Sequence, residues 1–188
     1  WVFDSDAKTL KQGSVVLNNV TVAGTKLTIG DNKGNATAGE LDFSSGIADG
    51  YVLDRIADDA FNGNLNVTKL VLGDTITTIG KSAFIGCTNL RGELILPDSL
   101  TSTGFHPFYN TAIERVVFGS GMKQVNNWFM KENSALTSIK WNNVINNFLD
   151  VLIIHSLLVI KFRLRYFGYQ STSFHKSLMY LLYLQQSR

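Results

Sequence analysis

The sequence predicts a solenoid of short, stacked parallel strands, on three observations. One apolar register recurs four times at nearly constant spacing. A further apolar position follows the end of each turn at a fixed distance. Glycines stand where the turns would need them.

The register reads apolar, then apolar-x-apolar, then two more apolar positions, the last opening the next turn. Its copies are Val67, Leu70, Leu72, Ile76, Ile79; then Leu90, Leu94, Leu96, Leu100, Thr103; then Ile113, Val116, Phe118, Met122, Val125; and Leu136, Ile139, Trp141, Ile145, Phe148. Thr103 is the one polar residue among them. The openings at Ile56, Ile79, Thr103 and Val125 are 23, 24 and 22 residues apart, and Phe61, Phe84, Phe108 and Met130 each lie five residues beyond one of them. A repeat of this length marks a unit that cannot bury its apolar face alone and does so by stacking on its neighbours.

Each apolar-x-apolar segment is a short strand with alternate side chains on opposite faces. Strands are predicted near residues 69–72, 93–96, 115–118 and 138–141. Leu70, Leu94, Val116 and Ile139 form one buried column, and Leu72, Leu96, Phe118 and Trp141 another. Gly63 and Gly86, two residues past each Phe, suit a turn. Pro97 directly follows a strand, where its missing N–H does little harm.

The segment from Ile79-Gly-Lys-Ser-Ala-Phe-Ile-Gly-Cys-Thr-Asn to Leu90, continuing to Leu94-Ile-Leu-Pro-Asp-Ser-Leu100, resembles the BspA-like leucine-rich repeat. The preceding copy keeps Ala60, Phe61 and Gly63 but has Asn64 in the place of Cys87; the later copies keep only the apolar frame. The resemblance covers residues 56–148. It implies a leucine-rich-repeat solenoid, with strands stacked in one sheet and an irregular, turn-rich convex side. It also implies a buried, structural Cys87 and a surface or secreted protein that contacts other proteins or cells.

The flanks differ from this frame. Residues 1–50 are polar, turn-rich and strand-like, and read as a β-rich N-terminal cap over the solenoid of residues 51–148, with a small separate β domain as the other reading. Residues 149–188 carry a single acid, Asp150, beside five Lys and Arg. The change is abrupt and no turn precedes it, which favours a tail foreign to the fold. A C-terminal cap helix, a stop-transfer segment, or a membrane-surface segment over residues 151–167 are the other readings; the apolar run Val151–Ile160 is well short of the roughly 20 residues that span a bilayer.

No catalytic or metal site stands out. Gly80-Lys81-Ser82 lacks the glycine five positions before the Gly-Lys pair that a phosphate loop needs; Thr75 is there. The run Asp31 to Asn35 places Lys33 where a calcium loop needs an oxygen ligand. His106, His155 and His175 lie apart from one another at no ligand spacing, and one cysteine excludes an internal disulfide. A net charge of +2 argues against nucleic acid as a partner. The Asn-x-Thr triplets at Asn19, Asn35 and Asn66 are expected by chance in a chain rich in Asn and Thr.

Two functions remain. One is a protein-binding or adhesion module needing no cofactor or metal; the other is a structural spacer in a larger protein that carries an enzyme elsewhere. For the first, strand geometry points to the outward residues between the buried ones, Val71, Ile95, Val117 and Lys140, and the flank Lys69, Glu93, Arg115 and Ser138. The inner ladder is an apolar stripe closed by a lysine, and the flank alternates in charge.

Overall fold

The computed structural model describes residues 1–34, 39–122, 125 and 128–141. The tail at 149–188, its segment 151–167 and the register positions Ile145 and Phe148 lie outside the described residues.

The described chain winds between two sheets. One, the front, is built from β6 (Glu40–Asp42), β8 (Lys69–Val71), β10 (Arg91–Leu96), β12 (Ala112–Phe118) and β13 (Ser138–Trp141). β6 pairs with β8, and β10 with β12 and then β13, all in parallel. β8 lies beside β10, where the Arg91 N–H donates to the Thr68 carbonyl at 3.2 Å. The predicted registers hold: Leu94 pairs with Val116 and Val116 with Ile139, while Leu96 pairs with Phe118 and Phe118 with Trp141. Leu70, Leu94, Val116, Leu72, Leu96 and Phe118 are buried; Ile139, expected in the same buried column, is half-buried in the last described strand.

The opposite side, expected to be irregular, also carries a sheet. β4 (Val20–Ala23) and β5 (Lys26–Ile29) form an antiparallel hairpin. β5 then pairs in parallel with β7 (Val52–Ile56), β7 with β9 (Thr78–Ile79), and β9 with β11 (Ser102–Thr103). This sheet aligns Ile29, Ile56, Ile79 and Thr103 in register, so the turn openings are strand residues. Parallel pairing already includes β5 and β6, within residues 1–50. Below them β1 (Val2–Asp4), β2 (Thr9–Gln12) and β3 (Val15–Leu17) form an antiparallel meander. The Trp1 ring stacks on Phe43 at 4.9 Å, its indole N–H donating to the Asp42 carbonyl.

Between the sheets each turn bends twice through left-handed backbone. Asp59, Ser82, His106 and Trp128, each three residues past an opening, have φ of 55°, 53°, 57° and 62°. Gly63 and Gly86, two residues past the Phe, have φ of 68° and 70°, as the turn requires, and Asn110 and Glu132 take the same conformation at 53° and 60°. A non-glycine residue there costs about 1–2 kcal/mol, least for Asn or Asp.

The aromatic column between these bends is the core of the stack. Phe61 and Phe84 lie 5.0 Å apart and nearly parallel, and Phe84 and Phe108 are 5.4 Å apart at 6°. Met130 follows in the Phe position and is buried as expected. Phe129 next to it, which the apolar register does not mark, takes the small slot of Ala60, Ala83 and Pro107 and packs on both Phe108 and Phe118 at 5.4 Å. A flexible methionine in the large slot and a ring in the small one exchange volumes between neighbouring positions.

A polar column runs beside the rings, three residues past each: Asn64, Cys87, Thr111 and Asn133, all buried. Asn64, Cys87 and Asn133 close the backbone of the turn below, while Thr111 bonds to Phe108 of its own turn and to Asn133. The Cys87 thiol donates to the Phe61 carbonyl at 3.0 Å and the Asn133 amide to the Phe108 carbonyl at 2.8 Å. The Asn64 amide donates to the Asn32 carbonyl at 2.6 Å. Such bonds matter because an unpaired buried carbonyl is expensive. Burial pushes the Cys87 thiol up to about 12 from an ordinary 9.0, so near pH 8 it stays protonated. In the native protein a thiol-reactive dye at pH 8 is therefore expected to leave Cys87 unlabelled over hours, with one equivalent reacting within minutes in denaturant. Stoichiometric labelling of the native protein within minutes would contradict a closed core at this position.

Candidate binding face

The outer surface of the front sheet carries two ladders. Asp42, Val71, Ile95, Val117 and Lys140 form the inner one, with Asp42 paired to Val71 and Ile95 to Val117 and thence Lys140. Glu40, Lys69, Glu93, Arg115 and Ser138 form the flank in the same way. All four sequence-predicted inner residues therefore lie on one face, but not equally open. Ile95 is 55% exposed, Lys140 is exposed, and Val71 and Val117 are half-buried. The pairing of β10 with β12 shifts between Gly92 and Glu93, with Glu114 of β12 as the extra residue, and is regular from Glu93 to Leu96.

Lys69, Glu93 and Arg115 are exposed, and the alternating charges pair along the stack. Lys69 Nζ reaches Glu40 at 3.3 Å and Arg115 Nε reaches Glu93 at 3.4 Å. With every partner more than 40% exposed, each pair adds no more than about 1 kcal/mol and is weakened by salt. Their larger effect is on charge: the pairs neutralise the flank and leave the apolar stripe as the distinctive feature. Asp42 closes its lower end. The Ser44 hydroxyl and then its N–H, donating at 2.6 and 2.9 Å, hold the Asp42 carboxyl below the usual range, so it stays ionised. The stripe thus runs between an anion and the cation of Lys140. Neither Asp42 nor Glu40 is marked by the sequence register, since the β6 turn precedes the four matched copies.

The Gly80-Lys81-Ser82 segment is an ordinary part of a turn. The Gly80 N–H donates to the Ile56 carbonyl at 2.8 Å, and a methyl group on Gly80 would fall on the backbone of Ala57 and Asp58. His106 packs against Trp128 at 4.8 Å. Among the described residues no three of His, Cys, Asp and Glu come together as metal ligands, and no helix is long and apolar enough to cross a membrane.

Two left-handed bends per turn, a ring column and a polar column recur with the period of the sequence register. A family model described as the BspA type leucine rich repeat region matches residues 54–165 in six copies, beginning just before Ile56 and continuing past Phe148. The chain belongs to this BspA-type leucine-rich-repeat family. Among solved structures, a leucine-rich repeat protein from Bacteroides capillosus is similar with a TM-score of 0.54 and 18% identity, over 72% of this chain and 99% of that one. A leucine rich cell surface protein from Faecalibacterium prausnitzii has a TM-score of 0.49 and 18% identity, over 73% of this chain and 43% of its own. A leucine-rich repeat protein from Bacteroides ovatus has a TM-score of 0.46 and 17% identity, over 65% of this chain and 38% of its own. At these identities the likeness concerns the fold. No curated protein matches the chain. Within the BspA-type repeat, the segment from Ile79 to Leu100 follows the family pattern through Phe84, Gly86 and Cys87. In the structure Phe84 stacks its ring, Gly86 makes the left-handed turn and Cys87 closes the backbone.

Proposed function

We propose that this chain is a non-catalytic protein-binding module of a surface or secreted protein, capped at its N-terminal end within residues 1–50. The single observation that carries the reading is the outer face of the front strands: an apolar stripe of Val71, Ile95 and Val117 on neighbouring strands, with Asp42 paired to Val71 at one end and Lys140 to Val117 at the other. Aligned ladders on a rigid stack suit extended contacts, and a solvent-facing isoleucine between self-neutralised ion pairs is available for burial by a partner. Membership of the BspA-type leucine-rich-repeat family, whose resemblance implies a surface or secreted protein, supports the assignment to the outside of the cell.

The test is a triple change of Val71, Ile95 and Val117 to threonine, which keeps β-branching and removes apolar surface. The labelled variant, with its melting temperature unchanged, is expected to bind cell surfaces at least tenfold more weakly than the parent. Binding equal to the parent's would remove this face from consideration. Failure of the parent itself to bind would favour the spacer reading.

A further inference from the structure

Away from the front sheet, the bends that precede each Phe form a ridge along the solenoid axis. Its positions repeat from turn to turn. The slot of Asp58 is filled by Lys81 and then Phe105; that of Asp59 by Ser82, His106 and Trp128; that of Asn62 by Ile85, Tyr109 and Lys131. The ridge therefore changes along its length from acidic to aromatic and cationic. Phe105 is 54% and Trp128 40% exposed. His106 lies at the centre, with ring centroids 6.5 Å from Phe105, 6.0 Å from Tyr109 and 4.8 Å from Trp128.

Folding does not account for the exposed rings of Phe105 and Trp128. Trp128 sits in left-handed backbone, where a bulky aromatic is disfavoured and Gly, Asn, Asp or His is accepted. An exposed ring at a strained position is the kind of feature that interfaces use.

The electrostatics select the partner. Among the described residues neither Lys81 nor Lys131 has an ion-pair partner. Partial burial, and then the charges of Lys81 and Lys131, hold the His106 imidazole below its usual pKa, so near neutral pH it adds no charge of its own. Lys131 Nζ stands 4.6 Å over the Trp128 ring, whose other close neighbour is His106. A cation and a ring thus already occupy part of the Trp128 surface, while Phe105 and the rest of Trp128 stay exposed. Ammonium groups beside exposed rings favour a partner that brings both carboxylates and aromatic side chains.

We propose that this ridge, formed by Phe105, His106, Tyr109 and Trp128 between Lys81 and Lys131, docks an acidic polypeptide segment that carries aromatic side chains. The proposal rests on the reading of the chain as a protein-binding module but uses a different surface from the front sheet.

A random copolymer of glutamate and tyrosine is the probe, with polyglutamate and polygalacturonate as comparisons, measured by biolayer interferometry on the full chain. The parent is expected to bind the copolymer at least fivefold more tightly than polyglutamate, with affinity falling as salt rises. The double variant Phe105→Ser/Trp128→Asn is expected to bind at least tenfold more weakly while its melting temperature holds or rises, since asparagine suits the left-handed position. Should that variant misfold, Lys81→Gln/Lys131→Gln gives the second reading: weaker binding with a flatter salt dependence. Copolymer binding by the aromatic variant within twofold of the parent overturns the proposal, as does equal or tighter binding of polygalacturonate, or no binding of the copolymer. The Val71/Ile95/Val117 threonine variant should bind the copolymer as the parent does. Loss there with retention in the ridge variant would assign the copolymer to the front sheet, overturning the ridge and leaving the face reading intact.

Discussion

Replacing Phe84 by alanine is expected to destabilise the protein by about 3–5 kcal/mol, the usual range for truncating a buried aromatic residue. The ring is fully buried and stacked on both sides, on Phe61 below and Phe108 above. Its loss opens a cavity between two turns whose backbones are fixed by hydrogen bonds, Phe61 N–H to Ala83 O and Phe84 N–H to Pro107 O, so the stack cannot simply close over the gap. That is a large part of the total stability of a domain of this size. Equilibrium unfolding in urea measures it; a loss below about 1 kcal/mol would show that the ring column is not the core of the stack.

The second large effect comes from adding a single methyl group. Gly104 has no positive φ, so its conformation does not require glycine; its surroundings do. Its N–H donates to the Ile79 carbonyl at 2.8 Å, and a Cβ there would fall on the backbone of Lys81 and the carbonyl carbon of Gly80. Backbone atoms cannot rotate aside, so Gly104→Ala must push two turns apart and is expected to cost about 3 kcal/mol, the upper part of the range for overpacking. Gly39→Ala is the control. A methyl there meets nothing within 4 Å at ordinary φ, and the change should be neutral or slightly stabilising. Equal melting temperatures for the two variants would contradict the close approach of turns at Gly104.

What could be read from the sequence follows from what each element demands of it. The front strands were legible because every one buries alternate residues, and a requirement repeated at 24, 22 and 23 residues survives even where copies share no identities, as between Leu94-Ile-Leu96 and Val116-Val-Phe118. The back sheet was not, because Thr78–Ile79 and Ser102–Thr103 are too short to alternate; only their pairing across turns makes them strands. The left-handed column was half legible. Gly63 and Gly86 announce one bend, but Asp59, Ser82, His106 and Trp128 share a backbone conformation and no side-chain chemistry. Phe129 was hidden by its partner Met130: a register that expects one apolar residue is satisfied by the methionine and does not ask for a ring beside it. The outer ladders were legible as positions, since alternation fixes which residues face outward. Their unequal exposure was not, because alternation says which residues face outward and not how far their neighbours cover them.

The central claim is that consecutive repeats stack in parallel with their equivalent residues side by side, for this alignment builds every face of the solenoid. Cysteine pairs test it directly. Glu93 and Arg115 are partners in adjacent strands, with Cα atoms expected about 4.8 Å apart, within the reach of a disulfide; Glu93 and Ser138 are two strands apart, roughly 10 Å, and beyond it. The buried Cys87 does not compete. Under mild oxidation Glu93→Cys/Arg115→Cys should form an internal disulfide nearly completely, while Glu93→Cys/Ser138→Cys remains reduced. A disulfide in the second variant and none in the first would contradict the stacked register.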